Sequence, residues 1–171
     1  LDNIDTLIDL QVVLKQDILI FHNEHIERLY TKRDTLILLE CDFDSFLDTN
    51  QMWAGISLWK KTKFSLDFLE EWIQFGSDPR CISDMENILG YPNYKEFKAH
   101  RHDQSIFSLL CKKYRLFSFP DPTQFGNNER SILNDKRLVQ VFHHTKADNK
   151  KKTFKDRIQK ILTKVKRKLN I

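Results

Sequence analysis

Apolar residues recur along this chain with two spacings, and the changes of spacing divide it into elements. Positions 1, 4, 7, 8, 10, 12, 13 and 14 are apolar, which predicts a short helix and its exit over residues 1–14. Ile18-Leu19-Ile20-Phe21 is a compact apolar run between Gln16-Asp17 and a polar cluster of His22, Asn23, Glu24, His25 and Glu27. It predicts a buried strand with polar side chains at its end, where open α/β sheets receive ligands. Thr35-Leu36-Ile37-Leu38-Leu39 predicts a helix, and Cys41-Asp42-Phe43-Asp44 a polar turn. Trp53, Gly55, Ser57 and Trp59 alternate with Ala54, Ile56 and Leu58, a strand pattern. Gly55 inside it reads as a packing glycine or as the close approach of a ligand or another backbone. Ser65 is placed to cap a helix with Phe64, Phe68, Leu69, Trp72 and Ile73 as its inner face, closed by Gly76-Ser77-Asp78-Pro79. Residues 80–99 have little periodicity and predict a long irregular loop.

That loop leads into His100-Arg101-His102-Asp103-Gln104-Ser105, followed at once by an apolar run in which Ile106, Phe107, Leu110 and Tyr114 share a helical face. Two imidazoles, a guanidinium, a carboxylate and a carboxamide are thus delivered at a helix N-terminus, whose unpaired N–H groups and partial positive charge suit an anionic ligand. The plainer reading is that Asp103 caps the helix and the histidines are solvated. Residues 115–119 then predict a short strand, 124–128 a turn, and 138–142 a strand ending at His143-His144-Thr145-Lys146. In the tail, Phe154, Ile158, Ile161, Leu162, Val165 and Leu169 follow helical spacing with Lys and Arg opposite.

Charge changes the picture only at that tail. The 171 residues are 40% hydrophobic and 30% charged, an ordinary globular composition, and no apolar run reaches the length of a membrane span. The formal charge of +4 divides into +9 over residues 146–171 and −5 over the rest. An acidic body argues against a nucleic-acid partner, whereas a basic amphipathic tail suits an anionic membrane surface through residues 150–171. Cys41, Cys81 and Cys111 are scattered and outside any C-x-x-C pattern, which speaks against a disulfide framework or a zinc site.

Three strings carry a resemblance: Gln51-Met52-Trp53-Ala54-Gly55-Ile56-Ser57-Leu58-Trp59-Lys60-Lys61, then Phe68-Leu69-Glu70-Glu71-Trp72, then the run from Phe97 through His100-Arg101-His102-Asp103-Gln104-Ser105 to Leu110. Together with Tyr30-Thr31-Lys32-Arg33-Asp34 they resemble a group of bacterial and viral polysaccharide (capsule or lipopolysaccharide) glycosyltransferase-like proteins, and more distantly the glycogenin and galactosyltransferase-like families of GT-A fold. The resemblance covers roughly residues 18–146. It implies an α/β fold: a partial GT-A-like, Rossmann-like mixed sheet flanked by helices over residues 1–146, with a basic amphipathic helix over 147–171.

The activity it implies is transfer of a sugar from a nucleotide-sugar donor to a glycan or lipid-linked acceptor in surface polysaccharide synthesis. In that reading Asp103, His102 and Gln104 are catalytic. His100, Arg101, Lys32, Tyr30, Gln51, Trp53 and Gly55 bind substrate, and His143 or His144 binds a divalent metal, Mn or Mg, on the donor diphosphate. The chemistry asks for such groups, because a departing diphosphate develops negative charge that a cation must stabilise. The chain departs from the family in one respect: no Asp-x-Asp precedes the strand at 17–21, since Asp2-Asn3-Ile4-Asp5 has another spacing. The expectation is therefore the C-terminal, acceptor-side portion, with the nucleotide-binding part upstream of Leu1, or else an inactive remnant. The expected location is the cytoplasm, peripheral on the inner face of the membrane. The rival function is a non-catalytic membrane-binding module of the same fold. The loop at 100–104, the segment around Gly55 and the polar residues at 22–25 are expected to converge on one cleft.

Overall fold

The computed structural model describes residues 4–134 and 138–145. Helix α1 (Ile4–Leu14) leads into strand β1 (Ile18–Ile26), followed by the short helices α2 (Glu27–Tyr30), α3 (Arg33–Leu38) and α4 (Asp44–Leu47). Strand β2 (Asn50–Trp59), helix α5 (Lys63–Gly76) and the single turn α6 (Pro79–Ile82) come next. After an irregular stretch, helix α7 (Asp103–Lys113) leads to strand β3 (Ser118–Pro120), a 3₁₀ turn at Gln124–Gly126 and helix α8 (Asn127–Leu133). The fold is α/β, with a small mixed open sheet of order β2-β1-β3. Strand β1 is antiparallel to β2 and parallel to β3. The chain divides into two compact units, Leu1–Val141 and Phe142–Ile171, and the sheet and all eight helices named here lie in the first.

Strand β1 is the axis because both of its faces are apolar. Ile18 and Ile20 point into the main core, where they join Leu36, Leu39, Leu47, Phe68, Ile106, Phe107, Leu109 and Leu110. Leu19 and Phe21 take the opposite face, and Phe21 stands beside its register partner Phe119, with Leu7 and Leu10 of α1 nearby. Alternation along a strand sends neighbouring side chains to opposite faces, so a run of four apolar residues fits a strand covered on both sides. Each fully buried side chain of this size contributes about 1.5–3 kcal/mol. Helix α7 lies across the sheet with Ser105 to Cys111 all buried. An aromatic cluster fastens it to α5 and β2: Phe107 meets Phe68 at 5.9 Å and Trp72 at 4.8 Å, and Trp59 meets Phe68 at 5.5 Å.

Several expectations need correction. Strand β1 continues through the polar cluster to Ile26, because β2 supplies ladder partners as far as Asn50. Helix α5 is capped by Thr62: its hydroxyl accepts from Ser65 N, and Ser65 Oγ accepts from Thr62 N, so Ser65 is the inner member of a reciprocal box. The inner stripe of α5 is Phe64, Phe68, Trp72 and Phe75, while Leu69 and Ile73 are exposed on its flank. The turn at 124–128 extends into α8. Residues 138–142 form no strand; Val141 N donates to Pro122 O, and Leu138 and Val139 are used as apolar cover over α1 and β3. The tail from 146 lies outside the described residues.

Candidate functional site

The pairing of β1 with β2 is interrupted twice, and these interruptions build the site. Ile20 pairs with Ser57 and His22 with Met52, so four residues of β2, from Trp53 to Ile56, stand opposite the single residue Phe21. His22 pairs with Met52 and Ile26 with Asn50, so Asn23, Glu24 and His25 stand opposite the single residue Gln51. Bulges of this kind bend a strand and re-aim its side chains. In the second bulge, Asn23 Oδ1 accepts from His25 N at 2.9 Å, and the His25 ring stacks on Tyr30 at 4.5 Å between centroids.

Backbone bonds bring the loop before α7 against the same place. Lys98 N donates to Leu29 O at 2.8 Å and Arg101 N to Tyr30 O at 3.1 Å. The Arg101 guanidinium consequently lies 4.9 Å from the Tyr30 ring centroid, and one of its Nη atoms donates to His25 Nε2 at 2.9 Å. Partial burial, with the Arg101 charge second, lowers the His25 pKa, so the ring keeps a lone pair for that bond at neutral pH. His102 is the N-cap of α7 at φ 50°, ψ −119°, and its Nε2 contacts Asp84 Oδ2 at 3.1 Å. A β-carbon-bearing residue at such a positive φ costs on the order of 1–3 kcal/mol, a strain found most often at ligand sites. Asp103 occupies the first helical position and is exposed, and the N-cap position before it, His102, makes no side-chain capping bond.

Beneath this surface lies a polar cluster that the sequence did not announce. Glu27, fully buried, accepts through Oε1 from Ser108 Oγ and from Lys112 Nζ at 2.7 Å. Its Oε2 accepts from Thr31 Oγ1 at 2.5 Å and from Gln51 Nε2 at 3.0 Å. Burial lowers the Lys112 pKa, and the adjacent Glu27 carboxylate opposes that shift. The signal available was spacing: Ser105, Ser108 and Lys112 interrupt the apolar face of α7 at steps of three and four, and Thr31 follows Glu27 by four.

Lys32 and His100, expected among the substrate-binding residues, are buried inside the protein instead. Lys32 Nζ donates to Met85 O at 2.8 Å, and its backbone N donates to His100 Nδ1 at 3.3 Å. His100 Nε2 bonds Cys81 O at 2.6 Å, and burial pulls the imidazole down to about 4. Asp34 accepts from Ile88 N at 2.8 Å, so the Tyr30-to-Asp34 segment holds the 83–89 backbone in place through buried charged groups. Asp42 and Asp44 are taken up by Arg33 and Arg28, and Asp42 also accepts from Tyr94. Burial pushes the Cys41 thiol up to about 12 and Cys81 up to about 11, which suits packed side chains rather than nucleophiles.

The structure thus gathers His25, Tyr30, Gln51, Arg101 and Gln104, the last through Gln104 Nε2 donating to Gln51 Oε1 at 2.9 Å. Gly55 is occupied from within its own strand: a β-carbon there would sit 2.7 Å from Trp53 Nε1, so the close approach expected at this glycine is that of the Trp53 indole. His143 and His144 belong to the second unit. Among the described residues no group of three His, Cys, Asp or Glu side chains could hold a metal ion, and no helix is long and apolar enough to cross a membrane. A separate apolar cavity of about 460 Å³ lies along β3, lined by Leu10, Val13, Phe117, Phe119 and Leu133 with His22 at its wall. No family model, curated protein or solved structure matches the chain.

Proposed function

We propose that the chain is the acceptor-side part of a glycosyltransferase-like protein, which moves a sugar from a nucleotide-sugar donor to a glycan or lipid-linked acceptor. One observation carries the reading. An exposed carboxylate, Asp103, follows a strained residue at the start of a buried helix, two positions after a guanidinium stacked on an aromatic ring. Sugar transfer needs these elements: a carboxylate to accept a hydroxyl proton or hold hydroxyls, a cation for the departing phosphate, and an aromatic face for a ring. A divalent metal on the donor diphosphate belongs to the same proposal, with His143 and His144 as the residues that would hold it. The basic tail would hold the protein at a membrane beside a lipid-linked acceptor.

The test is Asp103→Asn in the intact protein, assayed for sugar transfer and for sugar release from nucleotide-sugar donors. Asp103 is not the helix cap, so the substitution removes only its interaction with the helix dipole, about 0.3–1 kcal/mol. The expected result is loss of turnover with nearly unchanged stability. Retained turnover would remove Asp103 from the chemistry, and a wild-type protein that neither transfers nor releases sugar would end the reading.

A further inference from the structure

The buried carboxylate of Glu27 determines which way two carboxamides face. Lys112 can only donate, and it occupies Oε1 together with the Ser108 hydroxyl. At Oε2 the Thr31 hydroxyl spends its proton on Glu27, so the Thr31 oxygen is left as an acceptor. Gln51 meets both: its Nε2 lies 3.0 Å from Glu27 Oε2 and 2.9 Å from Thr31 Oγ1. Reversing that carboxamide would set an oxygen against two acceptors inside the protein, which is the costly arrangement. Gln51 Oε1 must therefore face outward, where it accepts from Gln104 Nε2 at 2.9 Å. By the same reasoning Gln104 cannot reverse, because its oxygen would then oppose Gln51 Oε1. Its own Oε1 is left as the atom available to a ligand, next in sequence to the exposed Asp103 carboxylate.

We infer that Glu27, acting through Thr31 and Gln51, is a positioning residue that makes Gln104 an acceptor toward the ligand, so that this end of the site selects a neutral group rich in hydroxyl donors and rejects phosphate. A free glutamine offers a donor and an acceptor and would serve either kind of ligand. A glutamine held in one orientation by an amide proton given to Gln51 turns its carbonyl to the ligand, and beside a carboxylate that carbonyl repels an anion. The inference rests on the sugar-binding reading above and divides the ligand: hydroxyls at Gln104 and Asp103, any phosphate toward Arg101. Gln51, itself fully buried, becomes a relay between Gln104 and Glu27.

The test is a binding experiment. Wild-type protein is titrated with methyl glycosides of gluco, galacto and manno configuration, and separately with pyrophosphate, following side-chain and backbone amides by NMR. At least one glycoside should shift the Gln104 amide, and pyrophosphate should not displace it. The double variant Glu27→Met/Lys112→Met, which removes the buried carboxylate and its cation together and leaves Gln51 no acceptor at position 27, should bind that glycoside at least tenfold more weakly while its response to pyrophosphate is kept. Since this variant could fold poorly, the wild-type protein supplies an independent readout. The Gln51 side-chain amide protons should exchange slowly and show cross-peaks to the Thr31 methyl group. Unaltered glycoside affinity in a folded double variant, a fast-exchanging Gln51 amide, competition by pyrophosphate at Gln104, or no glycoside binding at all would each overturn the inference. Glycoside binding that depends on Glu27, in a protein that transfers no sugar, would sink the transfer reading and leave this one standing.

Discussion

Acid should weaken this fold through one imidazole. His100 is 5% exposed and is held as a neutral ring, with Nδ1 accepting from Lys32 N and the Nε2 proton donated to Cys81 O. A second proton would have to sit on Nδ1, facing the Lys32 N–H. Burial accordingly pulls its pKa to about 4 from the ordinary 6.5. Between those values the unfolded chain binds a proton that the folded chain refuses, so stability from this group is complete above pH 6.5 and is lost as pH falls toward 4. At about 1.4 kcal/mol per pH unit, that interval amounts to about 3 kcal/mol. With a urea m-value of about 2 kcal/mol/M, the unfolding midpoint should fall by about 1.5 M on this account. Urea titrations at pH 7 and pH 4 measure the total fall, and His100→Gln, which can still accept at one atom and donate at the other, removes the proton-linked part. The wild-type dependence should exceed that of the variant, and the His100 ring resonance should titrate far below 6.5. A His100 midpoint near 6.5, or equal pH dependence in the two proteins, would refute the reasoning.

Other perturbations follow from particular contacts. Lys112→Met leaves Glu27 buried without its cation and should cost about 3–5 kcal/mol in urea unfolding, with most of that recovered when Glu27→Gln is added; a loss well under 1 kcal/mol would mean that water reaches Glu27. Gly126→Ala would drive a β-carbon into the Asp121 carbonyl oxygen at the entry to α8, and about 1–3 kcal/mol of destabilisation should appear as a lower melting temperature. Removal of residues 150–171 should abolish sedimentation with vesicles of anionic lipid at low salt; equal sedimentation of the two forms would take the membrane out of the account.

Local periodicity was enough to locate α1, the start of β1, β2, α5 and α7, because each buries one face or both and its apolar spacing records that burial. It also set Arg101, Asp103 and Gln104 at the head of a helix, since the polar run stops where the apolar stripe begins. What it could not express is the register between strands some 30 residues apart. The two bulges that turn His25 toward Tyr30 and stretch Trp53 to Ile56 against one residue depend on which residues face each other across β1 and β2, and no local pattern encodes that. The same holds for charge. Glu27, Lys32, Asp34 and His100 read as surface residues in a chain scanned for polarity, because a polar side chain is normally left in water. Only the tertiary structure brings them their partners from residues 51 to 112, and with those partners in place burial becomes affordable for groups that would otherwise stay at the surface.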